Sequence, residues 1–235
     1  MIMKKTFRGT IILIATILLF ACEKDTVNDG ELTYSFKTSN LSASVGSTGS
    51  ASGSPVAPLS NGSITWNSGA VNIQQIYFGA KKDNTPFAVE FEKLSNIDIL
   101  KTATVSGSVP IPTGTYSDIK LRLRLKESTT NKPLVLLGTF TEVSGTKIPV
   151  EVQFNETYEL TLNPAQITIK GNKYDVNVTL DLSKLVKNIT LTDFGQTVRS
   201  GADNMILVNN TKNIALFEKI KMNLVLIADA QITKR

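Results

Sequence analysis

Glu90 and Glu92 stand two residues apart in the stretch PFAVEFEK. The alternation there turns Phe87, Val89 and Phe91 one way and the two carboxylates the other. Their Cα atoms would lie roughly 6.6–6.8 Å apart on one face of a strand. That separation is within reach of the carboxylate pair of a glycoside hydrolase. The plainer reading is two solvated strand carboxylates, since nothing in the surrounding sequence marks a cleft. The rest of the composition favours the plainer reading. The chain contains no His, which removes His-based triads, the commonest general base, and nearly every zinc or transition-metal site. No acidic run has the spacing of a calcium-binding EF-hand loop. The Gly-rich stretches lack the Lys-Ser/Thr ending of a phosphate-binding loop. No catalytic residue, metal or cofactor is expected.

A second constellation is cationic. In IKLRLRLK, Ile119, Leu121, Leu123 and Leu125 alternate with Lys120, Arg122, Arg124 and Lys126. On a strand this puts four positive charges in one row. Like charges in a row repel, so the row needs partners. Glu90, Glu92 and Glu151 are outward acids that would serve, making the row a solvated, ion-paired face with Arg122 and Arg124 near those acids. The alternative is a surface for acidic glycans or phospholipid head groups. Trp66, the only Trp in the chain, is a candidate sugar-stacking platform together with Tyr77. A packing role for Trp66 is the simpler expectation, because aromatic rings mostly serve burial.

The single Cys has a different chemistry. Lys4, Lys5 and Arg8 precede the apolar stretch TIILIATILLFA, Thr10 to Ala21, which ends at Cys22. About a dozen apolar residues are too few to span a bilayer, which needs roughly 20, but suit the h-region of a signal peptide. Leu19 and Ala21 before Cys22 resemble the bacterial lipobox, in which the Cys carries a diacylglycerol thioether. An ordinary secretory leader with an incidental Cys is the competing reading. Lipidation would account for a lone Cys without a disulfide partner, and acyl chains contribute about 0.8 kcal/mol per buried CH₂ to anchoring. The segment CEKDTVNDGE then reads as a polar tether. It resembles the acidic stretch after the lipidated Cys in lipoproteins that Bacteroidota export to the cell surface. Asp25-Thr26-Val27 matches that group's short O-glycosylation pattern, with Thr26 as acceptor; a plain solvated linker is the alternative.

Charge bounds the partners. Of 25 basic residues, 22 remain without Lys4, Lys5 and Arg8. Against 20 acidic residues this leaves a net charge of +2 from Cys22 onward, which is not the balance of a nucleic-acid binder. The expected location is the bacterial outer membrane, lipid-anchored and facing the periplasm or the exterior. The expected partners are the membrane, through the anchor, and a glycan or another envelope protein.

The elements that would carry these residues are short alternating strands separated by turn signals. ELTYSFKTS places Leu32, Tyr34 and Phe36 on one face. AVNIQQIYFGAK changes phase at Gln74-Gln75, which predicts a bulge. PLVLLGTF is nearly continuously apolar and reads as a central strand. IPVEVQFN, TYELTLN, QITIK and YDVNVTLDL follow, with Gly171-Asn172 predicting a hairpin turn between the last two. Residues 42–63, rich in Ser, Gly, Ala and Pro and free of charge, read as a flexible loop. DLSKLVKNI predicts a short helix capped by Asp181 or Ser183. Phe217, Ile220, Leu224 and Ile227 fit helical spacing, with Asn209, Asn210 or Thr211 as cap, although KMNLVLI also fits a strand.

VPIPTGTYSDIKLRLRL, Val109 to Leu125, is the most distinctive internal motif. Its Pro112-x-Gly114-x-Tyr116 entry into an alternating strand resembles the transthyretin-like and carboxypeptidase-regulatory-like β-sandwiches. It resembles more closely an uncharacterised domain of bacterial lipoproteins, with Val71–Phe78, Leu94–Leu100 and Pro112–Leu125 in the matching order. The resemblance covers residues 31–182 and implies a fold without catalytic residues. The expected organisation is a leader (1–21), a tether (22–30), a mainly β, antiparallel sandwich of Ig-like or transthyretin-like type (31–182), and a helix-containing extension packed on it (183–235). The expected function is that of a lipid-anchored, non-catalytic envelope protein acting as a binding or structural module. The alternatives are a glycan-binding lipoprotein of an uptake system, or an adhesin or fimbria-like subunit using Leu32–Phe36 as an exchangeable edge strand.

Overall fold

The computed structural model describes residues 29–46, 61–91, 93–101 and 103–235. Cys22, Thr26 and Glu92 lie outside them. The fold is mainly β, with several packed sheets and one sizeable helix. In chain order the strands are β1 (Gly30–Ser39), β2 (Ser42–Val45), β3 (Gly62–Ile73), β4 (Gln75–Lys82), β5 (Thr85–Phe91), β6 (Leu94–Asp98), β7 (Ala103–Ile111) and β8 (Gly114–Leu125). They continue with β9 (Leu134–Thr141), β10 (Lys147–Phe154), β11 (Tyr158–Leu162), β12 (Ile167–Ile169) and β13 (Lys173–Asp181). After a 3-10 turn at Leu182–Val186 come α1 (Leu191–Gly195), β14 (Arg199–Ser200), β15 (Met205–Val208), α2 (Ile214–Ile227) and β16 (Ala228–Lys234).

Three sheets share one core. A four-stranded sheet runs β16-β13-β1-β7, and a five-stranded sheet runs β11-β8-β4-β5 with β12 also on β8. Their edges approach at both sides, β7 beside β5 and β16 beside β11, and the Tyr34 and Phe91 rings meet edge to face at 4.9 Å. These two layers form the sandwich. The third, seven-stranded sheet runs β14-β15-β10-β9-β3-β2, with β6 on β3. Its Phe140 stacks on Phe194 of α1 at 4.2 Å and its Phe154 packs on Phe217 of α2, while α2 also meets the 3-10 turn, β11 and β13. Phe36, Leu125, Leu136, Leu180 and Leu224, drawn from all three sheets and α2, line one small apolar void of about 30 Å³.

Period-2 patterning accounts for most of this. Ile119, Leu121, Leu123 and Leu125 of β8 are buried, as are Tyr174, Val176, Val178 and Leu180 of β13. The Asp83-Asn84 turn between β4 and β5 has both residues at positive φ, 47° and 67°, the backbone of a tight type I′ hairpin. PLVLLGTF is indeed central, β9 lying between β3 and β10. Residues 214–227 are helical, with Phe217, Ile220, Leu224 and Ile227 buried, and Asp181 caps the 3-10 turn.

Several local expectations are corrected. The phase change at Gln74-Gln75 is not a bulge: the chain leaves the seven-stranded sheet at Ile73 and enters the five-stranded sheet at Gln75. Gly171-Asn172 does not close a hairpin, because β12 pairs with β8 while β13 pairs with β1 and β16. The reading of 42–63 as loop fails at both ends. Ser42–Val45 is a strand paired to Thr65–Gly62, with Val45 fully buried; residues 47–60 lie outside the described ones. The proposed caps at 209–211 give way to Asn213, in the left-handed region and without a side-chain cap bond. Asn209 instead accepts from the backbone of Thr211 and Lys212. Two pairings are parallel, β1 with β13 and β10 with β15. Residues 183–235 are not merely packed on the sandwich: β15 and β16 are strands of two different sheets.

Candidate functional site

The outward face of the five-stranded sheet gathers most of the residues singled out above. Register sets its rows. Glu90, Tyr77, Arg122 and Thr161 lie side by side across β5, β4, β8 and β11. Gln75, Arg124 and Glu159 form the next row, and Ala88, Gly79 and Lys120 the row on the other side. Small residues in that last row leave a depression. It opens into a groove of about 1220 Å³ along the sheet, lined by Lys120 and Arg122 of β8, Pro86 and Ala88 of β5, and Glu159, Thr161 and Asn163.

The floor is built from Tyr77, Gly79 and Arg122. A Cβ on Gly79 would lie 2.7 Å from Cε1 of Tyr77, so the ring leans over a position that only Gly leaves free. The Arg122 guanidinium sits 4.0 Å from the Tyr77 ring centroid, a cation–π contact within the usual range. Burial of the Arg122 stem leaves its Nε shielded and without an acceptor.

At one end of the groove the β4–β8 register shifts between Gly79 and Lys81. Asp118 takes φ 51° there, a bulge that turns its carboxylate to Lys81 Nζ at 2.8 Å. The hydrogen bond to Lys81 holds the Asp118 carboxyl below its usual value, and Asp118 holds the Lys81 ammonium above its own. At the other end Glu90 accepts from Gln75 at 2.9 Å and shares a smaller hollow with Arg122, Arg124 and Glu159. Lys126, just past β8, lines the adjoining hollow with Arg124.

Lys120, Arg122, Arg124 and Lys126 therefore form the expected row, and Arg122 and Arg124 lie by Glu90 as expected, but the expected ion pairs are not made among the described residues. Among the described residues none of the four makes an ion pair. Glu151 lies on β10 of the seven-stranded sheet and cannot serve the row. Of the acids expected nearby, Glu90 is found there and Glu92 lies outside the described residues; Glu159, opposite Arg124, is a further acid that the sequence pattern does not place there. Its outward position was legible in TYELTL, but the pairing of β11 with β8 was not.

Trp66 is corrected outright as a ligand residue. It is 1% exposed, on the seven-stranded sheet, and donates its indole N–H to the Leu182 carbonyl at 3.3 Å. It forms no platform with Tyr77. Leu32–Phe36 is likewise not an edge strand: β1 lies between β13 and β7, with Leu32, Tyr34 and Phe36 buried. The Pro112-x-Gly114-x-Tyr116 motif is structural. Tyr116 is buried and donates to the Pro112 carbonyl at 2.6 Å, while Gly114 has φ 150° with Asp83 and Lys82 against it.

Compared with protein-family models, curated proteins and solved structures, the chain matches none of them. Among the described residues no cluster of acidic side chains could hold a metal, and no helix is long and apolar enough to cross a membrane.

Proposed function

We propose that this chain is a lipid-anchored, non-catalytic envelope protein that works as a binding module, with the outward face of the β11-β8-β4-β5 sheet as its working surface. The lipid anchor rests on the Lys4–Cys22 leader pattern. The binding role rests on one observation, the row Lys120, Arg122 and Arg124 lining an open groove and its adjoining hollow without ion pairs among the described residues. Glu90 and Glu159 stand beside Arg122 and Arg124 without closing on them as ion pairs, although a purely structural surface gains by closing such charges into pairs across strands. A surface that receives an anion leaves them available.

Two measurements test this reading. Labelled palmitate should be incorporated by cells expressing the native chain and not by those expressing Cys22→Ala, and the chain should fractionate with membranes. Binding to an array of neutral and acidic glycans should be lost in Arg122→Gln and kept in Lys147→Gln, an exposed cation on a different sheet. Unlabelled, soluble protein would remove the anchor. Loss of binding in both variants alike would remove the assignment of the face.

A further inference from the structure

We infer that the groove takes a linear acidic polysaccharide, one bearing sugar carboxylates; this rests on reading the face as a binding surface. The argument begins with spacing. Lys120, Arg122 and Arg124 repeat at roughly 6.6–6.8 Å along β8, so the charge is distributed along a line and not gathered at a point. A polymer with charge at intervals engages such a line; a single phosphate or carboxylate does not need it.

Arg122 is the centre of that line. Its guanidinium is held against the Tyr77 ring, 4.0 Å from the centroid. A guanidinium fixed in one plane is prepared for a bidentate carboxylate, whose two oxygens match its parallel N–H groups. Holding it in place before binding reduces the ordering cost that a free Arg side chain would bring.

The carboxylates separate the acidic sugar from other polyanions. Five cations, Lys81, Lys120, Arg122, Arg124 and Lys126, face three carboxylates, Glu90, Asp118 and Glu159, among the described residues of the groove and its hollows. A nucleic-acid surface is far more one-sidedly basic and offers aromatic faces to bases. Here the one aromatic ring on the floor is already engaged by Arg122. A deoxyribose-phosphate backbone brings negative charge but no hydroxyl donors for Glu90 and Glu159 to accept from. A sugar acid carries hydroxyl donors beside its carboxylate, so Glu90, Glu159, Thr161 and Asn163 can accept from or donate to its hydroxyls while the cations take its charge. A flat bilayer surface is the poorer fit, since Arg122, the centre of the row, is only partly exposed.

The test uses the purified full chain and four probes: polygalacturonate, neutral dextran, a single-stranded DNA oligonucleotide, and phosphatidylglycerol vesicles read against phosphatidylcholine vesicles. Polygalacturonate should bind, more weakly as salt rises. Arg122→Gln should weaken it by about tenfold or more, the loss expected for a charged hydrogen-bonded contact. Lys120→Gln should weaken it less, and Lys147→Gln should leave it unchanged. Equal thermal unfolding of all variants excludes misfolding as the cause. Dextran bound as well as polygalacturonate would overturn the acidic requirement. Arg122-dependent binding of DNA or of phosphatidylglycerol in preference to polygalacturonate would overturn the ligand class while keeping the face. No Arg122-dependent binding to any probe would overturn both this inference and the binding reading beneath it.

Discussion

Tyr116 reaches back over one turn of chain to donate its phenolic hydrogen to the Pro112 carbonyl at 2.6 Å. The bond spans the corner at which the chain leaves β7 for β8, and it explains the Pro-x-Gly-x-Tyr spacing. Pro112 supplies the acceptor, Gly114 the unusual φ, and Tyr116 the donor. The strand entry, and with it the placement of Lys120 and Arg122, depends on this corner.

Replacing Tyr116 by Phe should therefore cost about 1–3 kcal/mol, the expense of leaving a shielded carbonyl without its donor. The same residue predicts an alkaline effect. Burial, aided by Asp83 and Asp29, pushes the Tyr116 hydroxyl up to about 12 from an ordinary 10.0. The unfolded chain then loses this proton first, so the contribution is whole below pH 10 and lost as pH rises toward 12. Urea unfolding between pH 9 and 12 should show the wild type losing stability faster than Tyr116→Phe. Parallel pH profiles would contradict this account.

Trp66 gives a direct reading of the core. Because it is the only Trp and is 1% exposed, the folded protein should emit at short wavelength and shift to the red on unfolding. Saturating the groove with polygalacturonate should leave that emission unchanged, since Tyr77 and Trp66 lie on different sheets. Trp66→Ala should cost about 3–5 kcal/mol, the usual range for an aromatic side chain removed from a packed core.

What the sequence showed was what period-2 patterning encodes. The alternation from Ile119 to Lys126 identified which residues of β8 face inward, and that from Tyr174 to Leu182 did the same for β13. Pattern does not encode which strand lies beside which. Glu151 and Glu159 both alternate as outward acids, yet only pairing with β8 brings Glu159 to Arg124. The same limit explains Gln74-Gln75: a change of phase looks alike whether the strand bulges or passes into another sheet. Ser42–Val45 was concealed by composition, because a polar edge strand gains its order from β3 and not from its own apolar content. Trp66 shows the converse. Its burial was the simpler expectation, and a large ring needed only a packed sheet to satisfy it.

Asn223 is a buried polar residue with a definite task. Its side-chain amide donates to the carbonyls of Leu185 and Lys187 at 2.9 and 2.8 Å, tying α2 to the end of the 3-10 turn. Asn223→Ala should destabilise the fold by about 1–3 kcal/mol, since it strands two acceptors. Hydrogen exchange should locate the effect, with protection falling first at Lys187 and Ile189, whose amides close that turn. Uniform loss of protection across all sheets would argue against a local tie.

Asp193 predicts the acid limb. Burial pushes its carboxyl up, but hydrogen bonds from Lys219 and Thr190 outweigh this and hold it below its ordinary 3.8. It also completes the capping box of α1 with Thr190. A carboxyl depressed in the folded state stabilises above its unfolded value and loses that contribution as pH falls through the folded one. Asp193→Asn should therefore lower the midpoint of thermal unfolding at pH 7, by an amount corresponding to about 1 kcal/mol for the weakened cap. The gap to wild type should narrow below pH 4. A gap unchanged down to pH 2 would show that charge at Asp193 is not what holds α1.

The cationic row should behave differently from these structural sites. Arg124 faces outward beside Arg122 and Lys126, with Glu159 across the strand but no ion pair among the described residues. Its removal takes away like-charge repulsion along β8 and leaves little attraction to lose. Arg124→Gln should change stability by no more than about 0.5 kcal/mol, as is usual for a surface substitution. Any gain at low ionic strength should vanish in 1 M salt, where the Debye length is about 3 Å. A loss above 1 kcal/mol would mean that Arg124 is held by a strong local contact, and would favour a structural role for the row. Near-neutral stability combined with lost polygalacturonate binding would instead separate what the row does for the fold from what it does for a ligand.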